Sequence, residues 1–325
     1  MPVTAQSQCQ RVPHEPQRSI AVHDDYYRQL QCRQLQRYRA IILVSYAPTR
    51  VSKTGGDRLM GKRIGASQGD RRRLIVLDGP RNFRDIGGYP TDDGQRTRWG
   101  RLYRSDALWG STPNDIKRLR QLGVITVVDL RSSRERDHRP CPLPAICIDL
   151  MDRQTLDPAV LSAVDTHGML RAVYVDMLEQ SSRQLGQVVS LLATPEHLPA
   201  VVHCAIGKDR TGLVMALVLT VLGVRRDVIL DDYAASATHR PMDTKDATFA
   251  ELLKLGLPAA AAVGVFDAPP DVMAEVLTNL TDKHGSIEGY LLDSCMVDAA
   301  TFDALRSNLL EPDTGGAAGR RARDG

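Results

Sequence analysis

The sequence predicts an α/β fold in which helices flank a central, mostly parallel sheet, and three observations predict it. Two short apolar runs, VITVVDL at 124–130 and AVVH at 200–203, have the β-branched content of buried strands. Stretches with helical periodicity separate them. The second run passes through a tight glycine-containing loop into an apolar helical run, TGLVMALVLTVLG at 211–223, and alternation of this kind builds a parallel sheet.

Taken in order, the folded part begins near Leu74, and GRLYR at 100–104 is strand-like. A helix follows: Thr112 is placed to N-cap it, Pro113 suits its first turn, and Asp115 complements the positive end of its dipole. Ile116, Leu119 and Leu122 share one face, and Gly123 ends the helix. Further strands are expected at 124–130, 145–150 and 200–203, with one long helix over 170–193. Residues 236–280 read as helical and alanine-rich, and 312–325 as a disordered tail.

Charge divides the chain. Residues 1–73 carry 14 Lys/Arg against 5 Asp/Glu, while the remainder carries 28 against 34. Eight glutamines in the first 36 residues and a Gly/Arg-rich stretch at 51–73 predict a basic, disordered extension. An arm for acidic lipids or nucleic acid, and a translation start at Met60, are the alternatives; no nucleic-acid partner is expected. No secretory signal and no apolar stretch of about 20 residues is visible, so a cytoplasmic protein without a membrane span is expected, with signal-independent export left open. The six cysteines show neither metal-ligand spacing nor a disulfide framework, and no metal or other cofactor is expected. They suit a reducing compartment, with Cys141, Cys147 and Cys295 as ordinary thiols or resolving partners of Cys204.

The most informative segment is HCAIGKDRTG at 203–212. A strand, a tight loop and a helix N-terminus together bind a phosphate dianion through successive backbone N–H groups. Ala205, Ile206, Gly207, Lys208, Asp209 and Arg210 would form that cradle, with the Arg210 fork gripping two phosphate oxygens. A Cys204 thiolate at such a helix start, beside cations, is a nucleophile for covalent phosphoryl transfer. Thr211 is placed to donate to the Cys204 sulfur, and His203 to orient the loop.

This decamer resembles the signature loop of the protein tyrosine phosphatase superfamily, and the Lys208-Asp209 pair resembles its atypical microbial branch, which acts on phosphotyrosine, sometimes phosphoserine/threonine and sometimes phosphoinositides. NFRDIGGY at 82–89, RLYRSDA at 101–107, DLRSSRE at 129–135, RRDVILDDYAAS at 225–236 and HGSIEGYLLD at 284–293 resemble further motifs of that branch, so the likeness spans about 74–311. It implies a cysteine phosphatase fold over 74–311, with 236–280 as a lid-like helical insertion, or else a helical subdomain without a gating role. It implies a metal-independent hydrolase acting on phosphotyrosine in proteins through a phosphocysteine. A phosphoinositide phosphatase of the same mechanism, favoured by the extra charge of Lys208, and an inactive phosphate-binding pseudophosphatase remain as alternatives. The partner is then a phosphorylated protein or a phosphoinositide, and the oligomeric state is not legible.

Release of an alkoxide or phenoxide calls for a general acid. Asp209 is the first candidate, against a structural role in the loop; Asp152 is the second, with Asp149 beside it, and Asp106 the third. Arg84, Asp85, Arg104, Asp129 and Arg131 are polar residues beside apolar strands, read as supports that pair with one another or as substrate contacts.

Overall fold

The computed structural model describes residues 72–150, 166–243, 247–254 and 259–313. The expected extension up to residue 71 with Met60, the candidate acid Asp152, and the tail beyond residue 313 lie outside them.

Seven strands are described: β1 (Arg84–Asp85), β2 (Gln95–Thr97), β3 (Leu102–Ser105), β4 (Thr126–Asp129), β5 (Ile146–Cys147), β6 (Ala200–His203) and β7 (Leu310–Pro312). Five form the central sheet in the order β1-β3-β6-β4-β5. Only β1 runs antiparallel, so the sheet is mostly parallel, as the alternating pattern requires. The register sets Ser105 and Asp129 on either side of His203. The three strand ends therefore open on one edge, where open α/β sheets place ligands. β2 and β7 pair separately, so Pro312, expected to open the tail, lies in a paired strand.

The helices are α1 (Pro113–Gln121), α2 (Ser133–His138), α3 (Thr166–Gln180), α4 (Ser182–Leu192), α5 (Asp209–Val221), α6 (Arg226–His239), α7 (Ala247–Lys254), α8 (Ala259–Gly264), α9 (Pro270–His284), α10 (Ile287–Asp293) and α11 (Ala300–Leu309). At the start of α1, Thr112 accepts from the Asp115 N–H (3.2 Å) and the Asp115 carboxylate accepts from the Thr112 N–H (2.8 Å), a reciprocal cap. α5 is buried on every face except near its ends, which is why its sequence is apolar throughout rather than striped.

Three expectations change. The strand expected at 145–150 keeps regular pairing only at Ile146–Cys147, although Ile148 and Leu150 still donate to the carbonyls of Asp129 and Leu130 (3.0 and 3.2 Å). The single helix expected at 170–193 is two, because Ser181 leaves helical geometry at ψ 22°. The helical segment 236–280 is not one insertion: its first residues end α6, and α9 buries Val272, Met273, Val276 and Leu277 in the main core. Between α6 and α9, Phe249, Ala262 and Phe266 pack with Ile206 in a cluster separate from the main core.

Candidate active site

The loop 204–208 joins β6 to α5. Cys204 follows the sheet edge and is buried, and the Gly207 N–H points at its sulfur (3.2 Å). Gly207 adopts φ +73°, and a Cβ there would lie 2.3 Å from the Ser105 carbonyl oxygen, so only glycine suits the turn. Asn82 Nδ2 donates to the carbonyl of Gly207 (3.1 Å), as does Arg104 (2.8 Å). Held by these two donors at its carbonyl, Gly207 turns its N–H to the sulfur, and no side chain caps the start of α5.

Arg210 lies in the first turn of α5. Its two terminal nitrogens donate to the two oxygens of Glu135 (2.6 and 2.9 Å). Burial works against the guanidinium charge, but Glu135, then Cys204 and Asp209, more than offset it and raise its pKa. Glu135 is itself anchored, because it closes a capping box with Ser132 at the start of α2.

Lys208 does not face the loop centre. Its buried ammonium donates to the carbonyls of Val265 (2.7 Å) and Asp267 (2.6 Å) after α8, and lies 3.2 Å from Asp209 Oδ1. That Asp209 oxygen also accepts from the Tyr174 hydroxyl (2.7 Å), which lies 2.6 Å from the Tyr233 hydroxyl.

Beneath the loop, Arg84 and Arg104 converge on the buried Asp232, with Arg84 Nε 2.9 Å from it and Tyr89 donating at 3.0 Å. Burial alone would raise Asp232, but the two guanidiniums hold it well below the ordinary carboxylate range. Asp129 binds Arg131 and lies 3.7 Å from His203 Nε2; His203 and Arg131 depress it against the pull of burial, and burial in turn lowers His203. His203 Nδ1 is 3.3 Å from the Cys204 carbonyl. Asp85 accepts from the N–H groups of Gly87 (2.8 Å) and Gly100 (2.7 Å), away from the loop.

One expected contact differs. Thr211 does not reach the Cys204 sulfur: its buried hydroxyl has no hydrogen-bond partner among the described residues, and the Gly207 N–H is the donor to sulfur instead. Asp149 is engaged by Arg136 (2.5 Å) and by the Ser133 N–H (3.0 Å). Asp106, the third acid candidate, is buried between the Arg81 N–H (2.7 Å) and Arg240 (2.9 Å).

Four residues escaped the sequence reading. Asn82, Glu135 and Asp232 sit inside motifs quoted for other residues, so the signal was present. Tyr174 gave none, since one aromatic residue on an apolar helix reads as core.

A family model described as "Tyrosine phosphatase family" matches residues 75–311. The triple specificity protein phosphatase PtpB of Mycobacterium tuberculosis is 31% identical over 279 residues, covering 72% of this chain and 98% of that protein. A tyrosine-protein phosphatase of Nostoc commune is 30% identical, over 58% of this chain and 67% of its own length. The match extends from before β1 through α11, across the sheet, the cysteine loop and its supports, and on this ground the chain belongs to the tyrosine phosphatase family and is a phosphoric monoester hydrolase.

Proposed function

We propose that the protein hydrolyses phosphotyrosine in proteins through a phosphocysteine at Cys204. The observation that carries this reading is the Gly207 N–H aimed at a buried cysteine sulfur at the start of α5, with Arg210 on the first turn. In the first step the Cys204 thiolate attacks phosphorus, the bond to the tyrosine oxygen breaks, and Asp209 delivers a proton to that oxygen. In the second, water attacks phosphorus, the Asp209 carboxylate takes its proton, and the S–P bond breaks to return thiolate and release phosphate. Arg210 and the N–H groups of residues 205–210 stabilise the charge on the transferring group. Glu135 orients the guanidinium.

Phosphotyrosine is preferred over a phosphoinositide because Lys208, the residue that would favour extra phosphates, is already engaged by the carbonyls of Val265 and Asp267. The cluster of Phe249, Ala262 and Phe266 on Ile206 supports α7 and α8 as a lid over the loop. The test is turnover of a phosphotyrosine peptide, a phosphoserine peptide and soluble phosphoinositides with EDTA and reductant, by wild type and Cys204→Ser. Fastest turnover of phosphotyrosine, lost in the variant, is expected. Turnover that survives the substitution refutes the nucleophile, and faster lipid turnover refutes the substrate class.

A further inference from the structure

The geometry points to a positioning role for Tyr174: it fixes which oxygen of Asp209 carries the proton that is transferred. The inference rests on the reading of Asp209 as general acid.

Asp209 Oδ1 accepts from the Tyr174 hydroxyl at 2.7 Å and faces the Lys208 ammonium at 3.2 Å. The single proton of Tyr174 is thereby committed to Asp209. The hydroxyl of Tyr233, 2.6 Å away, must then donate to Tyr174 rather than accept from it. The chain of donors has one polarity, Tyr233 to Tyr174 to Asp209, and such chains strengthen one another where water is excluded. Water is excluded here, since Tyr174 is 0% and Tyr233 1% exposed. Burial and the nearby Asp209 push both phenols above their ordinary value, so both remain donors at any working pH.

An oxygen already facing two donors has no room for a proton of its own. A protonated Asp209 therefore carries it on Oδ2, which has no partner among the described residues. The Asp209 side chain keeps 18% of its surface exposed, whereas Lys208 beside it is sealed at 1%. Tyr174 comes from α3, outside the cysteine loop and its helix, so this bond is supplied by a separate element. Without it the Lys208 ammonium alone marks Oδ1, and the carboxyl rotates more readily to present either oxygen.

The test is the dependence of kcat/KM on leaving-group pKa across a series of aryl phosphates, from p-nitrophenyl to unsubstituted phenyl. It compares wild type, Tyr174→Phe, Asp209→Asn and the double variant, with vanadate affinity and thermal midpoint as controls for an intact pocket. Loss of a general acid costs about 100-fold or more on the poorest leaving group and little on the best. Tyr174→Phe is expected to show the same selective loss, about 10-fold on phenyl phosphate, a part of the roughly 100-fold that a full 1 Å misplacement of a catalytic group costs. In the double variant it should add nothing to Asp209→Asn. A uniform loss across the series in Tyr174→Phe, or no loss, makes Tyr174 structural and overturns the inference. Absence of leaving-group dependence in Asp209→Asn itself removes Asp209 as the acid and the inference with it. Should Tyr174→Phe fail to fold, Tyr233→Phe, which removes only the second donor, must still steepen the dependence; a parallel line overturns the inference.

Discussion

At Gly207 two constraints coincide: φ is +73°, and the place of a Cβ is taken by the Ser105 carbonyl 2.3 Å away. Gly207→Ala therefore pays a left-handed backbone penalty of about 1–2 kcal/mol and must also displace the loop. Urea titration should show at least that loss, and the displaced N–H should lower kcat on p-nitrophenyl phosphate. Asp106 offers a separate test. Burial pushes it up to about 7, against the pull of Arg240 and the Arg81 N–H. Its unfolded value is about 3.9. A folded pKa above the unfolded one means that its contribution to stability is complete below about pH 4 and is lost as pH rises towards 7. Asp106→Asn should flatten the decline of the urea midpoint between pH 4.5 and 7.5; an unchanged slope would show that other groups set it. Asp106 was weighed as an acid on its place in a motif, and its enclosure by Arg81 and Arg240 was beyond what the motif could tell.

Between elements, the notable bond is that of Lys208 to the chain after α8. An ammonium that donates to Val265 and Asp267 ties the cysteine loop to the segment that follows α8. Lys208→Met keeps the length and apolar stem but removes the donors. Hydrogen exchange should then rise in 259–268 and stay unchanged in β6, whose ladder bonds lie between β3 and β4. Equal protection in both proteins would mean that the apolar cluster alone holds the segment. Helix ends and buried strands were legible because caps and β-branched runs act locally, as at Thr112 and Val127. The break at Ser181 was not, because the polar run EQSSRQ at 179–184 reads equally well as the solvent face of one helix and does not reveal where the chain turns to meet the core.

Across the molecule, Asp232 joins β1, β3 and α6 through Arg84 and Arg104, and Arg104 also holds the Gly207 carbonyl. Asp232→Asn leaves two buried guanidiniums without their counter-charge, a loss of about 3–5 kcal/mol. A thermal melt should show it, and activity should fall in parallel because the loop loses its support. The buried Asp232 carboxylate, with its pKa held below the unfolded value by the two guanidiniums, keeps its contribution down to about pH 4 and loses it as pH falls further. A variant as stable as wild type would show that the three charges are not coupled.

The sequence by itself determined the alternation of strand and helix and singled out the segment 203–212 proposed to carry the chemistry, because a strand, a loop and a helix start are contiguous and their geometry is local. The tertiary structure alone decided what those residues touch. Arg210 finds Glu135 across 75 positions, Asp209 finds Tyr174 across 35, and Lys208 turns to carbonyls 57 and 59 positions away. Such pairings depend on which faces of the helices and sheet meet, and a carboxylate, phenol or ammonium in a single chain carries no mark of the partner that packing will bring to it.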